Sequence, residues 1–369
     1  MRKLQYLIAV IILAISCFGN IQYSFAASFQ GLGDLPGQRF SSEAFDVSGD
    51  GSTVVGRSLG FAGQEAFIWS QESGMRTLGQ IGNNSFFSRD IKISRNGLKV
   101  VGNVSFRDKN QQKYQCFIWD ENKGIRILND RVNEEFEFLC TDLSADGSVI
   151  VGYQYFPDET TAAAFWNERA GIKTLGRPKN SNFDPESFQS KAMSVSGDGN
   201  TIAGFMFDKN HSQAFIWDEA NGVQDLGDLP GGEDSSLARG ISANGSTVVG
   251  AGFNDENINE AFIWDRDNGI RGLGSLRGGS RISYANSVSG DGSIVVGRAS
   301  SYGYNDAFIW GQQNGMRRLK LVLENKYKLD LTGWLLADAT SISDDGLTIV
   351  GWGGNPQGEL EAWIVKLDP

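Results

Sequence analysis

Apolar and polar positions alternate in short bursts along this chain, and no segment sustains a helical period. The same burst pattern recurs. A small-residue segment runs into an Asp-Gly or Asn-Gly pair, the strongest short-range hairpin signal. A β-branched run follows, as in Ser52-Thr53-Val54-Val55 or Ser293-Ile294-Val295-Val296. After a polar loop comes an aromatic-aliphatic-Trp triplet such as Phe67-Ile68-Trp69, and a segment such as Gly74-Met75-Arg76-Thr77-Leu78 ends the group. Each group predicts four short strands, A to D, and the chain as a whole predicts almost no helix.

The group is written seven times. The turn glycine stands at 51, 97, 147, 199, 245, 292 and 346, and the strand-C Trp at 69, 119, 166, 217, 264, 310 and 363. Four antiparallel strands in about 47 residues is the size of a propeller blade. The predicted fold is therefore all-β: a seven-bladed β-propeller of four-stranded antiparallel blades. A β-solenoid is the competing architecture, but its coils are usually shorter and need no closure. Blades packed around a narrow axis need small side chains on strand A. Ala44, Cys140, Ala192, Ala238, Ala285 and Ala339 supply them, and only Asp90 breaks the series.

Closure is also predicted. Strand D begins six residues after Trp69, whereas six residues after Trp363 is Pro369. The seventh unit thus lacks strand D, and Phe29-Gln30-Gly31-Leu32-Gly33 is an orphan copy of it. The N-terminal strand should complete the last blade and remove an exposed sheet edge.

The first residues carry a different signal. Arg2-Lys3, an apolar stretch from Leu7 to Phe18 and Ser24-Phe25-Ala26 have the layout of a secretory signal peptide. The stretch is short of the roughly 20 residues that span a bilayer. The expected organisation is a signal peptide over 1–26 and one propeller domain over 27–369. A lipoprotein at Cys17 is an alternative. Cleavage removes two cations and moves the net charge from −11 to −13. The mature chain is expected to be exported (periplasmic, cell-surface or extracellular) and monomeric, with no integral membrane segment. Its acidity argues against nucleic acid as a partner. Cys116 and Cys140 travel an oxidising route. They are read first as replacements for the alanines of their repeat positions and second as a disulfide, with strand B as a possible obstacle between them.

The Leu-Gly-Asp-Leu-Pro-Gly linker (32–37 and 226–231), the Ser-x-Asp-Gly turn and the Ala-Phe-Ile-Trp strand resemble the HAF-type extracellular repeat family of bacteria, over essentially the whole mature chain. The resemblance implies architecture and compartment and no reaction. Where that family often has a His before Ala-Phe, this chain has Glu65, Gln213, Glu260 and Asp306. No barrel segment follows residue 369, so self-transport is not expected. The Trp-Asp pairs at 119, 217 and 264 lack the Gly-His partner of WD repeats.

Candidate chemistry is sparse. A single His, His211, sits in a polar loop and is read as solvent-facing; it leaves no His-rich metal site and one base for a triad. The turn carboxylates Asp50, Asp146, Asp198, Asp291 and Asp345 are read as turn residues rather than calcium ligands, since each loop has one acid. No catalytic residue, metal or cofactor is assigned. Strand A opens with a mixed ring, Glu43, Arg89, Leu139, Lys191, Leu237, Tyr284 and Asp338, expected near a channel mouth. An aromatic follows strand B in every unit: Phe61, Phe106, Phe156, Phe207, Phe253, Tyr302 and Trp352. The B–C and D–A loops share a face, which also carries Phe86, Phe87, Phe183, Phe188 and Trp334. These rings are candidates for stacking on a carbohydrate or a protein partner; their alternative is loop packing. The expected function is a non-catalytic binding or surface-interaction module, with a carboxylate-based glycan hydrolase as the alternative.

Overall fold

The structure, a computed structural model, describes residues 27–37, 39–61, 63–81, 90–108, 111–128, 136–179, 182–278, 280–301 and 303–368. The predicted signal peptide and Cys17 lie outside them, as do Phe86, Phe87, Arg89 and Tyr302. The fold is all-β, with a single seven-residue helix, Leu319–Asn325, among the described residues.

Every repeat becomes an antiparallel meander. In the first unit, Ser42–Val47, Thr53–Gly60, Gly63–Ser70 and Gly74–Thr77 pair in sequence order. The strands form six sheets, five of them four-stranded. The sixth has eight strands, two meanders joined through one parallel pair, Ser212 with Ser235. The N-terminal strand Ser28–Gly31 pairs antiparallel with Leu360–Lys366, Phe29 opposite Val365 and Gly31 opposite Trp363. This is the partner the orphan motif predicts. Phe29 also stacks edge-on against Trp334, ring centroids 4.9 Å apart, and lies beside the fully buried Trp363.

The small strand-A residues are completely buried at 44, 140, 192, 238, 285 and 339. In the second unit the buried residue is Ile91 rather than the exposed Asp90, and strand A is only Lys92–Ile93. In the other six units the ladder shifts register just after the small residue, which marks a bulge there. A bulge leaves one residue out of the ladder and re-aims its side chain.

One polar device and one covalent link sew unit to unit. A strand-A serine accepts the backbone N–H of a strand-C alanine in the preceding unit: Ala163 to Ser190, Ala214 to Ser236, Ala261 to Ser283 and Ala362 to Ser42, all at 2.9–3.0 Å. Between units two and three Phe138 replaces that serine, and the link is covalent instead. Cys116 and Cys140 form a disulfide with Cα atoms 5.5 Å apart, inside the usual range. Strand B of the third unit does not intervene, because Cys140 faces back onto the preceding unit, where Asn103 exchanges two hydrogen bonds with its backbone. The reading of these cysteines as alanine replacements first is therefore corrected: they occupy alanine sites and bridge them.

Candidate functional site: the two ends of the axis

Residues from all seven units line two cavities, which places both on the axis. They have opposite characters.

At the Asp-Gly end the seven turns are near copies. The Asp50 carboxylate accepts the Ser48 hydroxyl (2.6 Å) and the Ser52 N–H (3.0 Å), while Ser48 Oγ accepts the Thr53 N–H (3.0 Å). The same triangle recurs around Asp146, Asp198, Asp291 and Asp345, and around Asn96 and Asn244. Gly51 closes its turn at φ 69°, a conformation that suits glycine. The hydrogen bonds hold the Asp146, Asp198 and Asp291 carboxyls below their usual pKa. At Asp50 burial opposes ionisation, and the bonds from Ser48 and Ser52 outweigh it.

The residue between Ser and Asp/Asn then joins each turn to the next. Backbone bonds run from the Gly49 unit to Arg95, from Asn96 to Ala145, and onward through Gly197, Ala243, Gly290 and Asp344 back to Gly49. The circle is closed, and an Arg95–Asp344 ion pair crosses it. Just inside, Asp46 accepts the Ile93 N–H (3.0 Å) and the Ser341 hydroxyl (2.6 Å), and Asp142 accepts the Val195 N–H (3.0 Å) and the Ser194 hydroxyl (2.7 Å). Lys92 lies 4.0 Å from Asp46. Burial works against its charge, but Asp46, Asp142 and Asp90 hold its pKa above the usual value. Burial raises Asp142 in spite of Lys92. The cavity at this end measures only about 50 Å³.

At the other end the strands open into a funnel of about 410 Å³ on the B–C and D–A loop face. Its wall is built from the bulge residues Phe45, Thr141, Met193, Arg239, Asn286 and Thr340, no two neighbours alike in chemistry. Around them stand Glu43, Arg57, Asp90, Lys92, Arg298, Asp338 and Trp352. Glu43 and Arg57 form an ion pair. The Asp338 carboxylate is buried and accepts from Asn286 Nδ2 (2.6 Å) and Arg298 (3.2 Å). Burial nevertheless pushes its pKa up to about 6, against the pull of Arg298. Arg298 and Arg239 lie 5.0 and 5.3 Å from the Tyr284 ring centroid. Farther round, Lys191 lies over Tyr153, at 4.6 Å, and burial drives its pKa down.

The loop aromatics are dispersed. Trp352 alone of the series lines the funnel, opposite Asp338 in the ladder. Phe61 stands 81% exposed at a hairpin tip. Phe156 leans on Phe136 and Phe207 on Phe205, ring centroids 6.0 and 5.7 Å apart. Phe253 is half-buried in strand B, and Phe106 lies in a strand whose side chain there is not described. Phe183 and Phe188 pack together, and the His211 ring meets Phe183 edge-on. His211 is therefore half-buried rather than solvent-facing, its Nδ1 3.3 Å from Asp208. Sequence reasoning missed the bulge residues. Their signal was present in the residue just after each small strand-A residue, which varies from Phe to Arg.

Two of the polar residues that precede Ala-Phe are structural here. Glu260 accepts the Gly274 N–H (2.9 Å), and Gln213 donates to Asp228 (3.1 Å), so both pin a D–A linker.

No family model matches the chain, and no curated protein matches it. Solved structures do. The oligogalacturonate lyase of Vibrio parahaemolyticus superposes with a TM-score of 0.60 at 11% identity, covering 93% of this chain and 97% of that one. An oligogalacturonate lyase in complex with manganese gives 0.59 at 12%, with 93% and 97% covered. The Dos1 propeller gives 0.50 at 10%, with 92% and 95% covered. At these identities the likeness concerns the fold, which is a β-propeller. Among the described residues no three His, Cys, Asp or Glu side chains converge as a metal requires. Among the described residues, no helix is long and apolar enough to cross a membrane.

Proposed function

We propose that this chain is an exported, seven-bladed β-propeller of the HAF-repeat type that acts as a non-catalytic binding module, taking a carbohydrate or protein ligand at the funnel. Seven blades follow if the eight-stranded sheet is divided at its one parallel pair, in line with the seven-membered circle of turns. Export rests on the pattern of residues 1–26, and the Cys116–Cys140 bridge accords with an oxidising compartment.

One observation carries the binding reading. A repeat protein that uses one turn seven times at one end of its axis uses a different side chain in nearly every unit at the other. Scaffold needs produce sameness; recognition on a rigid frame produces difference. Trp352 is the ring at the funnel best placed to stack on a ligand, and Phe61 is the most exposed of the outer series.

A glycan array probed with residues 27–369, repeated with Trp352→Ala, tests the reading. Binding that the substitution weakens at least fivefold supports it. Binding indifferent to Trp352 moves the site elsewhere. Release of new reducing ends from any bound glycan would favour the carboxylate hydrolase instead.

A further inference from the structure

We infer that the funnel recognises an anionic saccharide, with the Arg239 guanidinium as the anchor for its carboxylate. This rests on the binding reading above and adds the ligand's chemistry.

Arg239 is the bulge residue of the fifth unit: the ladder slips between Ala238 and Gly240, so its side chain leaves the sheet and enters the axis. It lines both the funnel and the narrow cavity below. The bulge residues at 45, 141, 193, 286 and 340 are all uncharged. The carboxylate that acts on Arg239 is Asp338, and Asp338 is already held by Arg298 and Asn286. Arg239 itself makes no ion pair or hydrogen bond with any described residue; its guanidinium lies over the Tyr284 ring. Burial and the neighbouring Arg298 both work against its charge. A guanidinium stays protonated under such pressure. The fold thus holds a half-buried cation with unused donors, arranged as a fork that matches a carboxylate's two oxygens.

The surroundings narrow the anion. A chain of net charge −11, with Glu43 and Asp90 beside the funnel, is a poor host for a polyanion. One carboxylate at Arg239 with hydroxyls elsewhere fits better. Glu43 and Asp90 can accept hydrogen bonds from hydroxyls, Asn286 offers an amide, and Trp352 offers a ring face for the apolar side of a pyranose.

Calorimetric titration of residues 27–369 with a trisaccharide that carries a single uronic acid, and with its carboxyl-reduced analogue, tests the inference. The acid should bind at least tenfold tighter than the neutral analogue. Arg239→Gln should erase that preference. Arg239→Lys should retain part of it, and the wild-type comparison needs no variant to fold. Equal affinity for both sugars, with Trp352→Ala still weakening them, would overturn the anion anchor and spare the binding reading. Neither sugar binding, or a peptide's terminal carboxylate binding in their place, would overturn the saccharide; indifference of every ligand to Trp352 and Arg239 would sink the funnel as a site altogether.

Discussion

The two ends of the axis are made from the same seven strands A and solve different problems. At the Asp-Gly end each turn repeats one triangle of hydrogen bonds, and the turns join into a closed circle. The Ser and Asp or Asn side chains of each turn are hydrogen-bonded in one arrangement, so the end contributes rigidity. At the funnel end the bulges of six units each release one side chain from the ladder, and Arg239 has no ion-pair partner among the described residues. The comparison teaches where a repeat can vary: a position the ladder does not use is free to carry recognition.

The largest expected effect breaks the frame that both ends share. Deleting residues 27–33 removes the strand paired with Leu360–Lys366 and the Phe29 ring beside Trp363. The truncated protein should melt at least 10 °C lower or aggregate through the bared edge. A truncation that melts like the parent and stays monomeric contradicts closure. Replacing both Cys116 and Cys140 by Ala comes next, at roughly 3 kcal/mol on the loop-entropy scale, read by urea titration. Intact mass after alkylation of the unfolded protein should show no free thiol; two free thiols would remove the bridge.

A smaller effect separates the ends directly. Ser48→Ala takes away a donor to Asp50 and the acceptor of the Thr53 N–H, and should cost about 1–2 kcal/mol. Trp352→Ala should cost less stability and more binding. If the two variants show the same balance of stability and binding, the division of labour is wrong.

The ends should also titrate in different windows. Asp338 has a folded pKa of about 6 against 3.8 for the free side chain, so the native state holds its proton to higher pH. Its contribution makes stability fall as pH rises from about 4 to 6. The Asp146, Asp198 and Asp291 carboxyls are lowered in the fold, so their contribution is present above about pH 4 and is lost as pH falls below it. In melts across pH 3–8, Asp338→Asn should flatten the upper slope and leave the acid limb alone. Loss of the acid limb in that variant would mean the assignment is reversed.

The repeat made much of this legible. Turn glycines and the strand-C Trp of six units marked the meanders, though in the seventh Trp363 stands opposite Gly351, where the first unit has Phe67, and Val365 takes the Trp position; the orphan motif at Phe29 found its partner strand, because hairpin chemistry and alternation are local signals. The inner ends of strand A were harder. Whether Asp90 or Ile91 is buried, and that Arg239 leaves the ladder, depends on a one-residue slip that alternation cannot show. The disulfide depended on which way Cys140 faces, again a matter of register between units. The loop aromatics formed a series in sequence but not in space, since loops of different length carry Phe61, Phe156 and Trp352 to unlike surroundings.

Hydrogen exchange on residues 27–369, with and without the uronic-acid trisaccharide at saturation, tests the central claim most directly. The account predicts that the turns at 48–53, 196–201 and 289–294 are already slow and unchanged by ligand. Added protection should appear at 236–240, 284–286, 336–340 and 351–353. Protection concentrated in the Asp-Gly turns, or none anywhere, would contradict a frame at one end and a binding site at the other.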